Sequence, residues 1–180
     1  MRRGGEDLAH ERRTGLLIGL RGRRDGARGA AAPDCEAVTG DDHRRLYERW
    51  LFELWHGDEG VAAQIVTPGF VIHQARGEPG ASEAVRGPQA AVELVRMGRS
   101  PFSELTFALE VGPIIEGDLL AARWTGRGAY AGGIPGASAP PGTEVSFGGI
   151  DIMRIEDGRL AEYWVSSDGL ALMGQLGALG

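Results

Sequence analysis

Three side chains in this sequence combine proton-handling chemistry with a place on or at the end of an apolar run. Asp151 interrupts the apolar run Gly149-Ile150-Asp151-Ile152-Met153, Asp168 follows Tyr163-Trp164-Val165-Ser166-Ser167, and His73 ends the run Phe70-Val71-Ile72. Carboxyl and imidazole groups are the usual vehicles of general acid–base catalysis. On a strand, Asp168 shares a face with Trp164 and Ser166. An indole against a carboxyl in a dry pocket disfavours the anion and raises its proton affinity toward neutrality, which suits a base. Equally, Asp168 suits a cap on a helix beginning at Gly169. Asp151 reads either as a second pocket carboxylate or as a buried structural Asp bonded to a neighbouring strand or helix. His73, able to donate and accept, either meets a substrate oxygen or plays a structural part.

Other residues supply walls for such a pocket. Arg123 and Trp124 are adjacent on a strand and point to opposite faces, so only one of them lines a cavity. Trp124 offers a flat surface to an aromatic ligand; Arg123 offers a charge anchor or an ion-pair partner. Tyr130 can donate to a carbonyl but is a poor base near neutrality. Trp50, Trp55 and Tyr47 make an aromatic stripe at helical spacing, read as core or as a pocket wall for a flat ligand.

The elements that must position these groups are legible from periodicity. Leu46, Trp50 and Leu54, flanked by Tyr47, Leu51 and Trp55, predict a helix behind Asp41 and Asp42, with Gly57 as its stop. Asp58 to Val66 reads as a second, short helix and Phe70 to His73 as a short strand after the breaker Thr67-Pro68-Gly69. Pro88 opens a third helix through Ala91, Leu94, Val95 and Gly98. Leu105, Phe107, Leu109 and Val111 alternate as a half-buried strand, and the turn Glu116-Gly117-Asp118 leads into a strand from Leu119 to Tyr130. A Gly/Pro/Ala/Ser-rich loop over 131–143 precedes a strand from Glu144 to Ile155. There Val145 and Phe147 share one parity and Ile150 and Ile152 the other, so a bulge is expected at Gly148-Gly149. Asp157-Gly158 turns the chain into a last strand, Leu160 to Ser167, and a C-terminal helix. The sum is α+β: helices first, then a curled antiparallel sheet that closes with them into a cone around an apolar pocket.

Composition narrows the function. With 180 residues the chain holds one domain of ordinary size, and 42% hydrophobic residues suffice for a core. Residues 1–40 carry eight Arg and six acids and no aromatic residue, so a disordered N-terminal extension is expected there, with the domain over 41–180. The net charge of −6 gives no electrostatic case for nucleic acid or an anionic membrane. Cys35 is the single cysteine, so an internal disulfide or a cysteine-based metal site cannot form; the apolar stretch Leu16–Ile18 is too short for a signal or a span, and the chain reads as cytoplasmic. No dinucleotide fingerprint, P-loop, nucleophile elbow or His pair at metal spacing occurs, so neither a metal nor another cofactor is expected.

Several segments, taken in order, resemble the SnoaL-like polyketide cyclases of the nuclear-transport-factor-2-like superfamily. They are Phe70-Val71-Ile72-His73, Gly87-Pro88, Glu116-Gly117-Asp118, Arg123-Trp124-Thr125-Gly126, the Gly-rich loop through Pro141-Gly142, the run Gly149 to Leu160, Glu162-Tyr163-Trp164-Val165-Ser166-Ser167-Asp168 and Gln175-Leu176-Gly177. The resemblance covers about residues 42–180 and implies a cone-shaped, cystatin-like barrel. It also implies a homodimer and cofactor-independent aldol closure of a ring in a hydrophobic, carbonyl-rich aromatic polyketide. It makes Asp168 the acid/base; His73, from its own chemistry and not from the resemblance, is the other candidate catalytic residue. The chain departs from the family where Tyr130 and Tyr163 stand at frequent His positions. Rival expectations are another reaction in the same cone, such as isomerisation, cofactor-independent oxygenation or epoxide opening by converging Asp168, Arg123 and Asp151, and a non-catalytic module for ligand binding or dimerisation.

Overall fold

The computed structural model of the chain describes residues 40–73 and 85–179. The extension expected over 1–40 therefore lies outside the described residues, except Gly40, which opens the first helix. Helix α1, Gly40–Phe52, carries Asp41 and Asp42 in its first turn and Arg49 in its last, both matched to the helix dipole. Its buried face is His43, Leu46, Tyr47, Trp50 and Leu51. A 3-10 turn, Leu54–His56, follows and ends at Gly57, whose φ of 107° is a conformation that glycine adopts without steric cost. A second 3-10 turn, Glu59–Val61, starts where the Asp58 carboxylate accepts from the Gly60 N–H at 3.2 Å; helix α2, Ala62–Ile65, continues from it.

Strand β1, Val66–Ile72, begins earlier than the sequence predicts, because Thr67-Pro68-Gly69 lies within it. A proline is tolerated there because β1 is the edge of the sheet. Helix α3, Gly87–Arg99, has Pro88 in its first turn. Then come β2, Phe102–Glu116; β3, Leu119–Tyr130; β4, Glu144–Glu156; β5, Arg159–Ser167; and helix α4, Gly169–Gln175. The sheet order is β1-β5-β4-β3-β2. Strands β2 to β5 form the antiparallel meander, but β1 runs parallel to β5, so the sheet is mixed and its edges stay unjoined.

The expected bulge at Gly148-Gly149 is absent. The β3–β4 register runs unbroken from Leu119 opposite Arg154 to Ala129 opposite Glu144. Val145, Phe147, Gly149, Asp151 and Met153 all face inward, while Ile150 and Ile152 point outward and remain 43% and 44% exposed. The change of parity thus marks which isoleucines sit on the outer face. The curl comes from β2, whose pairing with β3 shifts three times between Ser103 and Ile114. Gly112 sits within the last shift at φ +96°, its α-carbon so near β3 that a Cβ would lie 2.8 Å from the Ala121 carbonyl oxygen. The concave face packs on α1, α2 and α3 around Tyr47, Trp50, Phe70, Leu120, Met153 and Tyr163, with Trp50 tilted against Phe70 and Tyr163 at centroid distances of 5.9 and 5.0 Å.

Candidate active site

A cavity of about 400 Å3 lies on the concave face, between the sheet, the Leu54–His56 turn, α3 and α4. Its wall is aromatic: Trp55, Phe102, Phe107, Trp124, Phe147 and Tyr163. The rings brace one another edge to face, with Phe107 at 5.2 Å from Trp55 and 5.3 Å from Trp124, and Phe147 at 5.9 Å from Trp124. Leu94, Met97, Val165 and Leu172 add aliphatic surface, and Ser167 and Tyr163 are the lining residues with hydroxyls. No charged side chain lines it among the described residues. Arg99 ties the rim together, donating to the backbone carbonyls of Trp55 and, at 3.1 Å, Leu105.

Beneath this wall sits Asp151, 1% exposed. Its Oδ1 accepts from Trp124 Nε1 at 2.9 Å and from the Tyr163 hydroxyl at 2.9 Å; its Oδ2 accepts from the Tyr47 hydroxyl at 3.0 Å. The Trp50 indole N–H favours the same carboxylate electrostatically but falls outside hydrogen-bonding geometry. Burial raises the Asp151 pKa to about 6, against the opposing pull of its donors Trp124, Tyr163 and Tyr47. Burial and the adjacent carboxylate in turn hold the Tyr47 and Tyr163 phenols above their ordinary range, so both remain donors. The arrangement is a carboxyl able to change protonation near neutrality, separated from an apolar cavity by two of its own donors.

Three of the predicted wall residues, Trp124, Trp55 and Tyr47, fall at this site, the first two lining the cavity and the third holding Asp151 from below. Asp151 is the buried carboxylate foreseen as one of two readings. The other predicted residues lie elsewhere. Strand alternation does put Asp168 on the face of Trp164 and Ser166, but that face is the outer one: Trp164 pairs with Ile152 and Ser166 with Ile150, whereas Val165 and Ser167 face inward. Asp168 is exposed, starts α4 without a side-chain cap bond, and lies over Gly148 beside the Arg123 guanidinium. The dry setting argued for Asp168 belongs to Asp151. Arg123 is also outside, bonded through Nε to Glu110 at 2.9 Å, while Thr125 donates to the same carboxylate. Asp168, Arg123 and Asp151 therefore do not converge as epoxide opening requires.

His73 lies at the end of β1, its Nε2 at 2.7 Å from Glu162 Oε2 and its ring stacked on Trp164 at 4.5 Å. Arg154 bridges the other Glu162 oxygen to Asp118, at 2.9 and 2.6 Å. This chain of charges fastens β1 and the β3 turn to β5, away from the cavity. Tyr130 packs in a second apolar cluster with Val145, Leu172 and Leu176, and its hydroxyl accepts from the Ile134 N–H at 3.2 Å, pinning the 131–143 loop. Sequence reasoning missed Tyr163 as a site residue and missed the phenylalanines of the wall. For Phe147 and Tyr163 the signal was the parity of β4 and β5, once the inner face is known to be the one carrying Asp151; Phe102 and Phe107 lie on β2, on either side of a register shift that breaks simple alternation. Among the described residues no three His, Cys, Asp or Glu side chains come together as a metal ion requires.

A profile of the SnoaL-like polyketide cyclases matches residues 43–176, the span holding every residue of this site. The chain belongs to that family. Among solved structures, TsrD of Streptomyces laurentii is 29% identical with a TM-score of 0.65, over 79% of this chain and all of that one. A SnoaL-like protein of Jannaschia sp. CCS1 is 25% identical with a TM-score of 0.63, over 78% and 94% of the two chains. IdmH of Streptomyces antibioticus is 25% identical with a TM-score of 0.59, over 76% and 96%. No curated protein matches the sequence. In this SnoaL-like chain the curled, open sheet over N-terminal helices is the family's nuclear-transport-factor-2-like fold, and a cyclase-like enzyme acting on small hydrophobic molecules is the function that membership supports. No described helix is long and apolar enough to cross a membrane.

Proposed function

We propose that the protein closes a ring in a hydrophobic, carbonyl-rich aromatic polyketide by acid–base-catalysed aldol chemistry, with Asp151 and Tyr163 as the proton-handling pair. The observation that carries this reading is a carboxyl with a pKa raised to about 6, one phenolic hydroxyl away from a six-ring apolar cavity. A proton between two carbonyls is acidic enough that a base of this strength can remove it. The Tyr163 oxygen takes the substrate's C–H proton as its own passes to Asp151. The enolate carbon then bonds to the acceptor carbonyl carbon, and that carbonyl's π pair becomes an alkoxide. Tyr163 protonates the alkoxide as Asp151 returns its proton. Atoms and electrons balance within the substrate, and the protein ends as it began. Trp124, Phe107 and Phe147 hold a flat substrate and exclude water, which supplies orientation.

The test follows deuterium uptake and ring closure of anthraquinone β-keto esters in deuterated water. Wild type and Asp168→Asn are expected to act, while Asp151→Asn and Tyr163→Phe lose at least about 100-fold, the usual contribution of a general base. Activity kept in Asp151→Asn and lost in Asp168→Asn would move the acid/base to Asp168, one residue beyond the cavity-lining Ser167. No turnover by any form, with ligands still raising the melting temperature, favours the binding module.

Cytoplasmic homodimers are part of the same proposal. Val111 and Ile114 on β2 and Ile150 and Ile152 on β4 are exposed at 51%, 65%, 43% and 44%, with Ala121 of β3 between Ile114 and Ile152 and Arg123 of β3 between Val111 and Ile150. The row Ile114, Ala121 and Ile152 is the apolar part of the outer face that a second copy would cover.

A further inference from the structure

Trp124 and Gly149 are directly opposed on β3 and β4, and Asp151 follows two residues later on the same inner face. A Cβ at Gly149 would lie 2.3 Å from the indole Cζ2, 2.7 Å from Cη2 and 2.8 Å from Cε2, distances no packed side chain adopts. The backbone gives no other reason for glycine: Gly149 has no positive φ, and the register runs through it without a shift. Phe107 and Phe147 brace the ring edge to face at 5.3 and 5.9 Å, so it can make room for a side chain at Gly149 only by leaving its place over β4. The missing side chain is therefore what lets the indole lie flat across β4 and bring Nε1 to Asp151 Oδ1 at 2.9 Å. A cross-strand diagonal is within reach of an aromatic side chain, and here the empty position opposite gives the indole the room to take it.

We propose that Gly149 is a positioning residue, selected for the space it leaves, that sets the Trp124–Asp151 hydrogen bond and through it the protonation of the carboxyl behind the cavity. The consequence for catalysis rests on the reading of Asp151 given above, but the positioning itself does not. Gly126 supports the principle, since a Cβ there would meet Phe147 at 3.1 Å and Phe107 at 3.2 Å: β3 and β4 set a glycine opposite Trp124 and another opposite Phe147.

The test is Gly149→Ala in the full chain, read by two NMR signals: the Trp124 indole N–H resonance and the carboxyl-carbon titration of Asp151. Pushing the indole off the carboxylate is expected to move the N–H resonance upfield and to raise the titration midpoint by about one pH unit, the value of one hydrogen bond to a charged group. In a Trp124→Phe background, which lacks the outer indole ring, Gly149→Ala should leave the midpoint where that background puts it. If Gly149→Ala does not fold, the Trp124→Phe/Gly149→Ala chain should fold, because the clash is with the indole. An unmoved indole signal and midpoint in Gly149→Ala overturns the proposal; so does a double variant that fails to fold. Exchange activity retained by Asp151→Asn would dispose of the catalytic reading while these two signals still decide the role of Gly149.

Discussion

At the scale of single residues the molecule turns on one buried carboxyl. Asp151 stands at about 6 against an ordinary 3.8, so between those values the folded chain binds a proton that the unfolded chain has released. Stability is then highest below pH 4 as far as this group is concerned, and it is lost as pH rises through about 6. At about 1.4 kcal/mol per unit, the loss is about 3 kcal/mol. Asp151→Asn, which cannot ionise, is expected to flatten this slope, measured as the difference in urea midpoint between the two proteins from pH 4 to 7. Glu162 has the opposite sign: His73 first, then Arg154, hold its pKa below the ordinary range, so its contribution is present above pH 4.5 and lost as pH falls. The two windows overlap only between 3.8 and 4.5, so of these two groups Asp151 alone acts from pH 4.5 to about 6. A wild-type slope equal to that of Asp151→Asn would mean that the carboxyl is not held near 6.

At the scale of elements, the cavity exists because helix and sheet are fastened around a space they do not fill. The Arg99 guanidinium links α3 to the Leu54–His56 turn and to β2 through the Trp55 and Leu105 carbonyls. Arg99→Ala leaves two part-buried carbonyls without that donor, at a cost of about 1–3 kcal/mol. The expected outcome is a lower urea midpoint together with weaker binding of a hydrophobic dye and a red-shifted tryptophan emission, because Trp55 forms part of the rim. A destabilised protein with unchanged dye affinity would show that the guanidinium supports the fold but not the cavity. The His73–Glu162–Arg154–Asp118 chain fastens the opposite end of the sheet. These groups are half exposed and solvent-screened, so His73→Ala is expected to change stability by less than about 1 kcal/mol and leave turnover intact.

For the whole molecule, the two faces of the sheet divide the work: aromatic rings and a buried acid on the concave side, ion pairs and bare isoleucines on the convex side. In the proposed homodimer, Ile150→Asp with Ile152→Asp is expected to keep the fold, since both side chains point away from the core, and to halve the mass seen by sedimentation equilibrium. An unchanged mass would show that these two side chains hold no second copy. The charge of −6 has no bearing on the cavity, whose described lining is uncharged, and ligand binding should be nearly independent of salt.

The sequence by itself determined the elements and their order, because helical and strand periodicities survive in a linear string: β3 and the 131–143 loop lie where periodicity and composition place them. It also determined that Asp151 and Asp168 are the carboxylates to examine, and that Trp124 and Arg123 oppose each other. Only the tertiary structure decided which face is inside. Alternation fixes relative orientation along a strand but leaves the absolute direction to whatever covers the sheet. Tyr163, Val165 and Ser167 pack toward the helices, so the parity that unites Asp168 with Trp164 turns both outward. The same ambiguity made a parity change in β4 look like a bulge when it was two isoleucines on the outer surface. The desolvation of Asp151 was likewise beyond the string, since it arises from Tyr47, 104 positions away in sequence, arriving on α1 to cover it.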